Sequence, residues 1–291
     1  MFTVTVLAAP KRADLTPALV EDLRGQWQGG HVIWLNPGIA AEFPLAAEPA
    51  DFWAIWEILQ TQGFDLVIQP TLGRRKAVLL ADMDSTMIQQ ECIDELADVA
   101  GVGERVAAIT ARAMNGELDF HEALLARVAL LAGLPETAID EVLDSRITLM
   151  PGGRQLVATM HAQGAYAALV SGGFTAFTDP VATALGFDDH RANTLLAEDG
   201  VLTGHVTLPV LGREAKIEAL QDITAARGLT PFDVIAVGDG ANDLGMLQLA
   251  GTGVAAHAKP SVAAQVNIRV NHGDLTALLY LQGYAAEEFV D

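Results

Sequence analysis

Two aspartates separated by one residue follow an apolar segment. Asp82 and Asp84 belong to the sequence DMDST, which comes directly after residues 77–81 (AVLLA). In an extended chain, side chains two residues apart point to the same side, so both carboxylates would face one point in space. Two like charges this close need a cation or a phosphoryl group between them. One carboxylate could attack phosphorus while the other transfers a proton, although an isolated motif of this length is more often an acidic turn.

A second acidic motif, GDGAND, occupies residues 238–243. Asp239 and Asp243 lie there in a glycine-rich turn after another apolar segment. Magnesium prefers a nearly octahedral set of oxygen ligands with few carboxylates, several waters and a phosphate. Asp82, Asp239 and the main-chain carbonyl of Asp84 could supply such ligands. The four aspartates and a phosphate dianion would together carry a charge of about −6, so we expect Mg²⁺ and a basic residue nearby.

Two further segments could hold a phosphate. Ser171, Gly172 and Gly173 follow an apolar segment and precede a predicted helix. Glycines let backbone N–H groups approach an anion, and the start of a helix adds partial positive charge. Lys216 lies in another predicted helix, residues 213–226, and could neutralise the phosphoryl oxygens. Taken singly, SGG could be an ordinary turn and Lys216 a surface lysine, so only their combination with the acidic motifs predicts a phosphate site.

The elements that would position these residues are short apolar strands. Four such segments, residues 77–81, 166–170, 234–237 and 252–255, alternate with helical stretches. Continuous apolar segments are typical of strands that are buried on both faces of a parallel sheet. The alternation predicts an α/β fold with a doubly wound parallel sheet. Ligands bind beyond the carboxyl ends of such strands, where DMDST, SGG and GDGAND stand.

A long insertion separates the first two of these strands. About residues 89–148 have a helical pattern throughout. Because this insertion has no strand pattern, it cannot extend the sheet, and we expect it to form a helical cap over the strand ends. Further along, residues 193–197 and 201–206 flank Glu198-Asp199-Gly200, which is a signal for a β-hairpin turn.

The amino-terminal residues have a different pattern. Alternating apolar residues and helical spacing predict the order βαββαβ, with Asp51 as the N-cap of the second helix. This order is typical of ferredoxin-like folds and resembles the small regulatory amino-acid-binding domains of the ACT type. A polar segment with proline and glycine, residues 70–76 (PTLGRRK), follows it. We therefore divide the chain into a small α+β domain, residues 1–73, and a larger α/β domain, residues 74–291.

Four motifs in this order make the sequence resemble the haloacid dehalogenase-like phosphatases. They are DMDST, SGG, a lysine in a helix and GDGAND, and the resemblance extends from about residue 76 to the end of the chain. It implies Mg²⁺-dependent hydrolysis of a small phosphomonoester through a phosphorylated aspartate, with Asp82 as the nucleophile and Asp84 as the proton donor and general acid–base. It also implies roles for the other motif residues: Ser171, Gly172, Gly173, Lys216 and Asn242 for the substrate, Asp82, Asp239 and the Asp84 carbonyl for the metal, and Asp243 as a support of the metal ligands.

The same resemblance suggests the substrate. In that family, a glutamate shortly after the nucleophile and an arginine in a cap helix bind the ammonium and the carboxylate of an amino acid. Glu91 and Arg127 match these positions, and Met114 and Phe120 match apolar residues that line the pocket. One acceptor and one bidentate cation suit a zwitterion. The implied substrate is phosphoserine, which would place the enzyme in serine biosynthesis; without the core motifs, both charged residues would indicate only an exposed cap surface.

Composition argues against several other classes of protein. The chain has 51% hydrophobic residues, 37 acidic and 17 basic residues, and a net charge of −20. Such a composition is globular, and the charge repels nucleic acids and anionic membranes. The single cysteine, Cys92, leaves no partner for an internal disulfide and is typical of a reducing compartment. The sequence shows no apolar run of the about 20 residues that span a bilayer and no secretory signal, so we expect a cytoplasmic protein.

Three alternatives remain open at the level of sequence. The chain could be a related phosphatase or phosphotransferase that acts on another small phosphomonoester. It could be an amino-acid-sensing module with a degenerate core, although Asp82, Asp84, Lys216 and Asp239 are all intact. It could also be a scaffold that dimerises through residues 1–73, and a homodimer through this domain is a candidate assembly for the enzyme as well.

Overall fold

The computed structural model describes residues 1–114 and 117–291, with the side chain of Met114 outside the described part. The amino-terminal elements are β1 (Phe2–Ala8), α1 (Pro17–Gln26), β2 (Ile33–Asn36), β3 (Ala40–Leu45), α2 (Phe52–Gln62) and β4 (Phe64–Pro70). The strands form an antiparallel sheet in the order β2-β3-β1-β4, and both helices pack on one face of it. This arrangement confirms the predicted ferredoxin-like βαββαβ fold.

The two helices of this unit begin differently. Thr16 accepts a hydrogen bond from the Leu19 backbone N–H at 3.3 Å, so its side chain caps α1. Asp51 stands at the start of α2, but its carboxylate accepts hydrogen bonds from the Gln26 and Trp27 side chains at 2.8 and 3.0 Å. The predicted side-chain cap by Asp51 is therefore wrong, because this carboxylate links the two helices instead.

A larger α/β unit follows. Its strands and α-helices are β5 (Val78–Ala81), α3 (Cys92–Val99), α4 (Gly103–Met114), α5 (Phe120–Ala129), α6 (Thr137–Ser145), α7 (Gly153–Ala162), β6 (Tyr166–Phe174), α8 (Thr175–Leu185), β7 (Asp189–Asn193), β8 (Leu195–Glu198), β9 (Val201–Val206), α9 (Arg213–Ala226), β10 (Val234–Gly238), α10 (Leu244–Leu249), β11 (Thr252–Ala256), α11 (Pro260–Ala263), β12 (Ile268–Val270) and α12 (Ala277–Leu281). Among the described helices, none combines the length and the apolar character needed to cross a membrane.

In the described part of the chain, one parallel sheet has the strand order β12-β11-β10-β5-β6-β7. Apolar side chains of α7, α8 and α12 pack on one face, and those of α9 and α10 pack on the other. The predicted doubly wound α/β fold is therefore confirmed. The sequence pattern does not reveal the two edge strands, since β7 reads DHRAN and β12 has only three residues.

The cap and a hairpin lie over the carboxyl edge of this sheet. The predicted helical cap appears as α3 to α6, between β5 and β6. The β8–β9 hairpin turns at Asp199 and Gly200, whose φ angles are 51° and 77°. Leu202 in β9 donates its backbone N–H to the Leu134 carbonyl and accepts from the Gly133 N–H, both at 2.9 Å. The hairpin thus joins the sheet unit to the cap.

A buried carboxylate connects the amino-terminal sheet to the larger unit. Asp65, in β4, is fully buried. It accepts hydrogen bonds from the backbone N–H groups of Asn271, His272 and Gly273 at 2.9, 3.0 and 2.8 Å. These bonds fix the segment after β12 against the edge of the small sheet. The two units thus pack closely against each other, and these contacts do not mark a boundary between them. The division of the chain between residues 73 and 74 therefore stays a prediction.

Candidate active site

The predicted site residues meet at one edge of the parallel sheet. Asp82 follows β5, Ser171 lies in the last part of β6, and Gly238 ends β10. Because these strands are parallel neighbours, their carboxyl ends open into the same cavity, which has a volume of about 170 Å³. Most of the predicted residues line it: Asp82, Asp84, Glu91, Arg127, Ser171, Gly172, Gly173, Asp239 and Asn242.

Lys216 and Asp243 lie behind the cavity. The Lys216 Nζ is 2.5 Å from the Asp82 Oδ1 and 2.6 Å from the Asp243 Oδ1. Lys216 is 1% exposed, so it is not the surface lysine that the sequence also allowed. Burial lowers its pKa, but the charges of Asp243 and Asp82 more than offset this effect, and the net pKa is raised. The side chain is therefore a fixed ammonium group beside Asp82.

Asp243 organises the GDGAND turn. Its Oδ2 accepts hydrogen bonds from the backbone N–H groups of Asp239 and Gly240 at 3.1 and 2.9 Å. A Cβ at Gly238 would overlap the Asp243 side chain, so the close approach requires glycine there. Since its Oδ1 binds Lys216, both oxygens of Asp243 have protein partners.

Three carboxylates lie close enough to hold a cation. Asp82, Asp239 and Asp243 each offer an oxygen within 4.8 Å of the others. Because Asp243 is bonded elsewhere, Asp82 and Asp239 remain as the available side-chain ligands. Burial, followed by the charge of Asp243, raises the pKa of Asp239 to about 6. The same two causes raise the pKa of Asp82 against the opposing charge of Lys216. A cation would favour the ionised forms, and an all-oxygen donor set fits a hard divalent ion.

Asp84 has an environment that suits proton transfer. Its Oδ1 accepts a hydrogen bond from the Cys92 backbone N–H at 3.0 Å. Burial, followed by the charge of Glu91, raises the pKa of Asp84 to about 6. A carboxyl group with such a pKa can both donate and accept a proton near neutral pH. Cys92 itself is buried, and burial raises the pKa of its thiol, which makes it an inert side chain.

Glu91 is held at the start of α3. Its carboxylate accepts a hydrogen bond from the Ser85 hydroxyl at 2.9 Å. Ser85 has a φ of 55°, in the left-handed region that residues other than glycine seldom adopt, and its N–H donates to the Gln90 carbonyl at 3.1 Å. This tight turn after DMD directs Glu91 to the cavity that Asp82 and Asp84 line.

Arg127 reaches the same cavity from α5. Its Nε donates a hydrogen bond to the Ala123 carbonyl at 3.3 Å. Burial lowers its pKa, and the charges of Asp94 and Glu91 oppose that shift. No ion pair among the described residues involves Arg127, so the guanidinium is available to an anionic ligand.

The resemblance assigns two apolar residues, Phe120 and Met114, to the lining of the pocket, and the structure describes the side chain of Phe120. Phe120 lines the cavity, and its ring packs against Gly172 and Gly212. The side chain of Met114 lies outside the described residues.

The SGG segment forms a close-fitting cradle. The Ser171 Oγ accepts a hydrogen bond from the Gly173 N–H at 2.9 Å. A Cβ at Gly173 would lie 2.7 Å from the Asp84 Oδ2, so the second glycine keeps the space beside the carboxylate open. Asn193, at the end of β7, donates to the Gly172 carbonyl at 2.9 Å and accepts from the Leu211 N–H at 2.7 Å. Sequence reasoning misses this buried residue, because its role depends on contacts with distant parts of the chain.

Lys259 is a second residue that sequence reasoning misses. It follows β11, lines the cavity, and donates its backbone N–H to the Asp239 carbonyl at 3.2 Å. Its positive charge opposes the rise in the pKa of Asp239, which burial causes. The available signal was its position just after the apolar segment at residues 252–255, which predicts the same edge of the sheet.

Comparison with known proteins places this fold and site in one family. The profile of the haloacid dehalogenase-like hydrolases matches residues 79–248. The crystal structure of a HAD-family hydrolase from Salmonella enterica serovar Typhi is similar with a TM-score of 0.86 and 31% identity, over 97% of this chain and 98% of that chain. The chain belongs to the haloacid dehalogenase-like hydrolases.

Within that family, the chain is similar to phosphoserine phosphatases. The phosphoserine phosphatase of Streptomyces coelicolor is 40% identical over 294 residues, which are 98% of this chain and 71% of the relative. That of Haemophilus influenzae is 48% identical over 70% of this chain, and the match spans 65% of the relative, slightly less than two thirds of its length. A probable phosphoserine phosphatase from Vibrio cholerae has a TM-score of 0.78 and 34% identity, over 98% of this chain and 88% of that chain.

Proposed function

We propose that this hydrolase converts O-phospho-L-serine to L-serine and inorganic phosphate, the last step of serine biosynthesis. The observation that carries the proposal is that Glu91 and Arg127 line the same cavity as Asp82 and Asp84. An acceptor and a cation beside a reactive carboxylate pair match the ammonium, carboxylate and phosphate of one zwitterionic ester. Similarity to phosphoserine phosphatases supports the same substrate.

Mg²⁺ is the proposed cofactor, with Asp82, Asp239 and the main-chain carbonyl of Asp84 as its protein ligands. When bound, Mg²⁺ stabilises negative charge on the phosphoryl oxygens. The oxygen-only donor set supports a divalent cation at this place. The raised pKa of Asp239 reflects, besides burial, the negative charge of nearby Asp243, and a cation would compensate that charge. Asp243 supports the ligands through its hydrogen bonds to the turn that carries Asp239.

In the first half-reaction, a carboxylate oxygen of Asp82 forms a bond to phosphorus, and the bond from phosphorus to the serine oxygen breaks. Lys216 binds the Oδ1 of Asp82, which leaves the other oxygen for the attack. Asp84 enters this step protonated and gives its proton to the departing serine oxygen. The step leaves a phosphorylated Asp82, an ionised Asp84 and free serine.

In the second half-reaction, Asp84 removes a proton from a water molecule as that water attacks phosphorus. The bond between phosphorus and Asp82 breaks, which restores both side chains and releases phosphate. Ser171, Lys216 and Asn242, with the N–H groups of the SGG segment, hold the phosphoryl oxygens during both steps. The cap helices limit the access of bulk water to the phosphorylated aspartate.

Phosphate release from a panel of esters tests the proposed substrate. We expect the highest kcat/KM for phosphoserine, compared with phosphothreonine, glycerol phosphate and an aryl phosphate. A higher value for another ester, or transfer of phosphate to an added alcohol, would indicate a related phosphatase or phosphotransferase. Serine binding without release of phosphate from any ester would indicate a sensing module.

The amino-terminal domain, residues 1–73, is the proposed dimerisation surface. Among the described residues, its edge strand β2 pairs only with β3, and Ile33 in that strand is 50% exposed. An open apolar strand edge favours pairing with another chain. Sedimentation should show a dimer for the full chain and a monomer for Ile33→Lys, and a monomer for both would refute this assembly.

A further inference from the structure

A second cavity lies beside the reaction cavity. It has a volume of about 540 Å³ and shares Phe120, Arg127, Asn242 and Lys259 with its smaller neighbour. The other described lining residues belong to α4, to α5 and the residues just before it, to the start of α9, to the turn after β10 and to the segment after β11. A small ligand in this second cavity would therefore be separated from the reaction cavity only by the shared side chains.

Free positive charge lines this second cavity. Arg213 and Lys259 join Arg127 there, and no acidic side chain is among the described lining residues. None of these three cations takes part in an ion pair within the described part of the chain. The chain as a whole carries a net charge of −20, so a cavity whose charged lining residues, among those that the structure describes, are all basic differs from the rest of the molecule. Its local potential attracts small anions.

Thr110 adds a hydrogen-bond donor to the lining of the second cavity. It lies on α4. Its Oγ1 is buried and has no hydrogen-bond partner among the described residues. A buried polar group without a partner is unfavourable, and a rotation of this side chain that turns the hydroxyl into the cavity would let an oxygen of a bound anion accept its proton.

The side chains that line the reaction cavity are more acidic than those of the second cavity. Its described lining includes four carboxylates, Asp82, Asp84, Glu91 and Asp239, against two cations, Arg127 and Lys259, and like charges within a few ångströms raise the cost of bringing in another anion. Lys216 offers little attraction at a distance, because Asp82 and Asp243 already bind its ammonium group. At a distance, the side chains of the second cavity therefore attract a phosphate ester more strongly than those of the reaction cavity do.

We propose that Arg213, Lys259 and Thr110 form a second anion-binding subsite, which captures a phosphate monoester dianion before it moves past Phe120 into the reaction cavity. The proposal rests on the proposed function only in that the substrate is a phosphate monoester. Arg213 and Lys259 act by concentrating the substrate at the reaction cavity, and they take no part in bond making.

Removal of charge tests this subsite. Arg213→Gln and Lys259→Gln, singly and together, are compared with wild type on phosphoserine and on an aryl phosphate. At low ionic strength, we expect kcat/KM of the double variant to fall about tenfold for both esters, with a much smaller change in kcat. Arg213→Lys should retain most of the wild-type kcat/KM that Arg213→Gln loses, because lysine keeps the positive charge. Arg105→Gln, an exposed arginine of α4 outside both cavities, is the matched control and should behave as wild type.

Salt provides the second readout. Added salt screens the cations, so kcat/KM of wild type should fall and approach that of the double variant at about 0.5 M salt. Equal kcat/KM for wild type and double variant at low ionic strength would overturn the subsite, as would an equal loss in Arg105→Gln. If the aryl phosphate shows the expected loss but phosphoserine is not hydrolysed, the subsite stands and the proposed substrate fails.

Discussion

The Nζ of Lys216 lies 2.5 Å from the Oδ1 of Asp82, and both side chains are almost fully buried. A lysine on α9 thus fixes one oxygen of the aspartate that follows β5, while the same aspartate lines the reaction cavity. Burial alone would favour the protonated carboxyl group, which is a poor nucleophile. The buried ammonium opposes this effect and orients the carboxylate, and Asp243 in turn holds the ammonium in place.

Replacement of Asp243 should destabilise the fold. Asp243→Ala removes the acceptor of Lys216 and of two backbone N–H groups, all in a buried environment. Breaking a buried pair costs about 3–5 kcal/mol of the free energy of unfolding, which urea denaturation can measure. Asp222→Ala removes an ion pair to Arg191 at the surface and should cost less than about 1 kcal/mol. Similar losses in both variants would contradict the structural role of Asp243.

A methyl group in the phosphate cradle should impair turnover. Gly173→Ala would place a Cβ 2.7 Å from the Asp84 Oδ2 and 3.1 Å from the Ser171 Oγ. We expect kcat to fall about 100-fold, the scale on which loss of a single donor to a reacting oxygen acts.

Gly25→Ala is the matched control for this substitution. Gly25 lies inside α1, where a Cβ would meet nothing within 4 Å, so activity should be unchanged and stability should rise by up to about 1 kcal/mol. Full activity of Gly173→Ala in steady-state assays would show that this glycine does not border the reacting phosphate.

Arg127 should determine substrate choice. Arg127→Ala removes the cation that the proposal assigns to the serine carboxylate. We expect kcat/KM for phosphoserine to fall about thirtyfold or more, corresponding to about 2 kcal/mol, and that for an aryl phosphate to fall far less. Arg105→Ala, outside the cavity, serves as the control. Equal losses for the two substrates would exclude Arg127 from recognition of the amino acid.

Metal removal should abolish turnover and alter stability. Treatment with a chelator should stop phosphate release, and added Mg²⁺ should restore it. A cation that binds only the folded protein raises the melting temperature, so Mg²⁺ should also raise Tm of the chelated enzyme. Asp239→Asn should lose this rise in Tm, whereas the surface variant Asp222→Asn should keep it. Turnover that survives complete chelation would rule out the proposed cofactor.

The sequence was most informative about residues that follow apolar strands. Asp82 and Asp239 stand directly after such strands, Ser171 lies in the last part of β6, and neighbouring parallel strands necessarily end at the same edge of a sheet. The α/β fold and the approach of these side chains therefore followed from pattern alone. Lys259 lies at the same edge, shortly after β11, but no motif in the residues around it indicates a role in the site.

Other features depend on contacts that no local pattern encodes. Asn193 stands at the end of a polar edge strand and binds Gly172 and Leu211, which are far apart in sequence. Asp51 stands where a residue could cap its own helix, but the side chains of Gln26, in α1, and of Trp27, just after it, donate to its carboxylate instead. In both cases the tertiary contact decides the role of the side chain, and such a contact cannot be read from the residues on either side.

Detection of the phosphorylated enzyme tests the central claim most directly. Wild-type enzyme is mixed with phosphoserine and quenched in acid, and its peptides are examined by mass spectrometry. We expect one added phosphoryl group on Asp82, and neither this group nor turnover in Asp82→Asn. A phosphoryl group on a different residue, or wild-type turnover by Asp82→Asn, would contradict the assignment of Asp82 as the nucleophile.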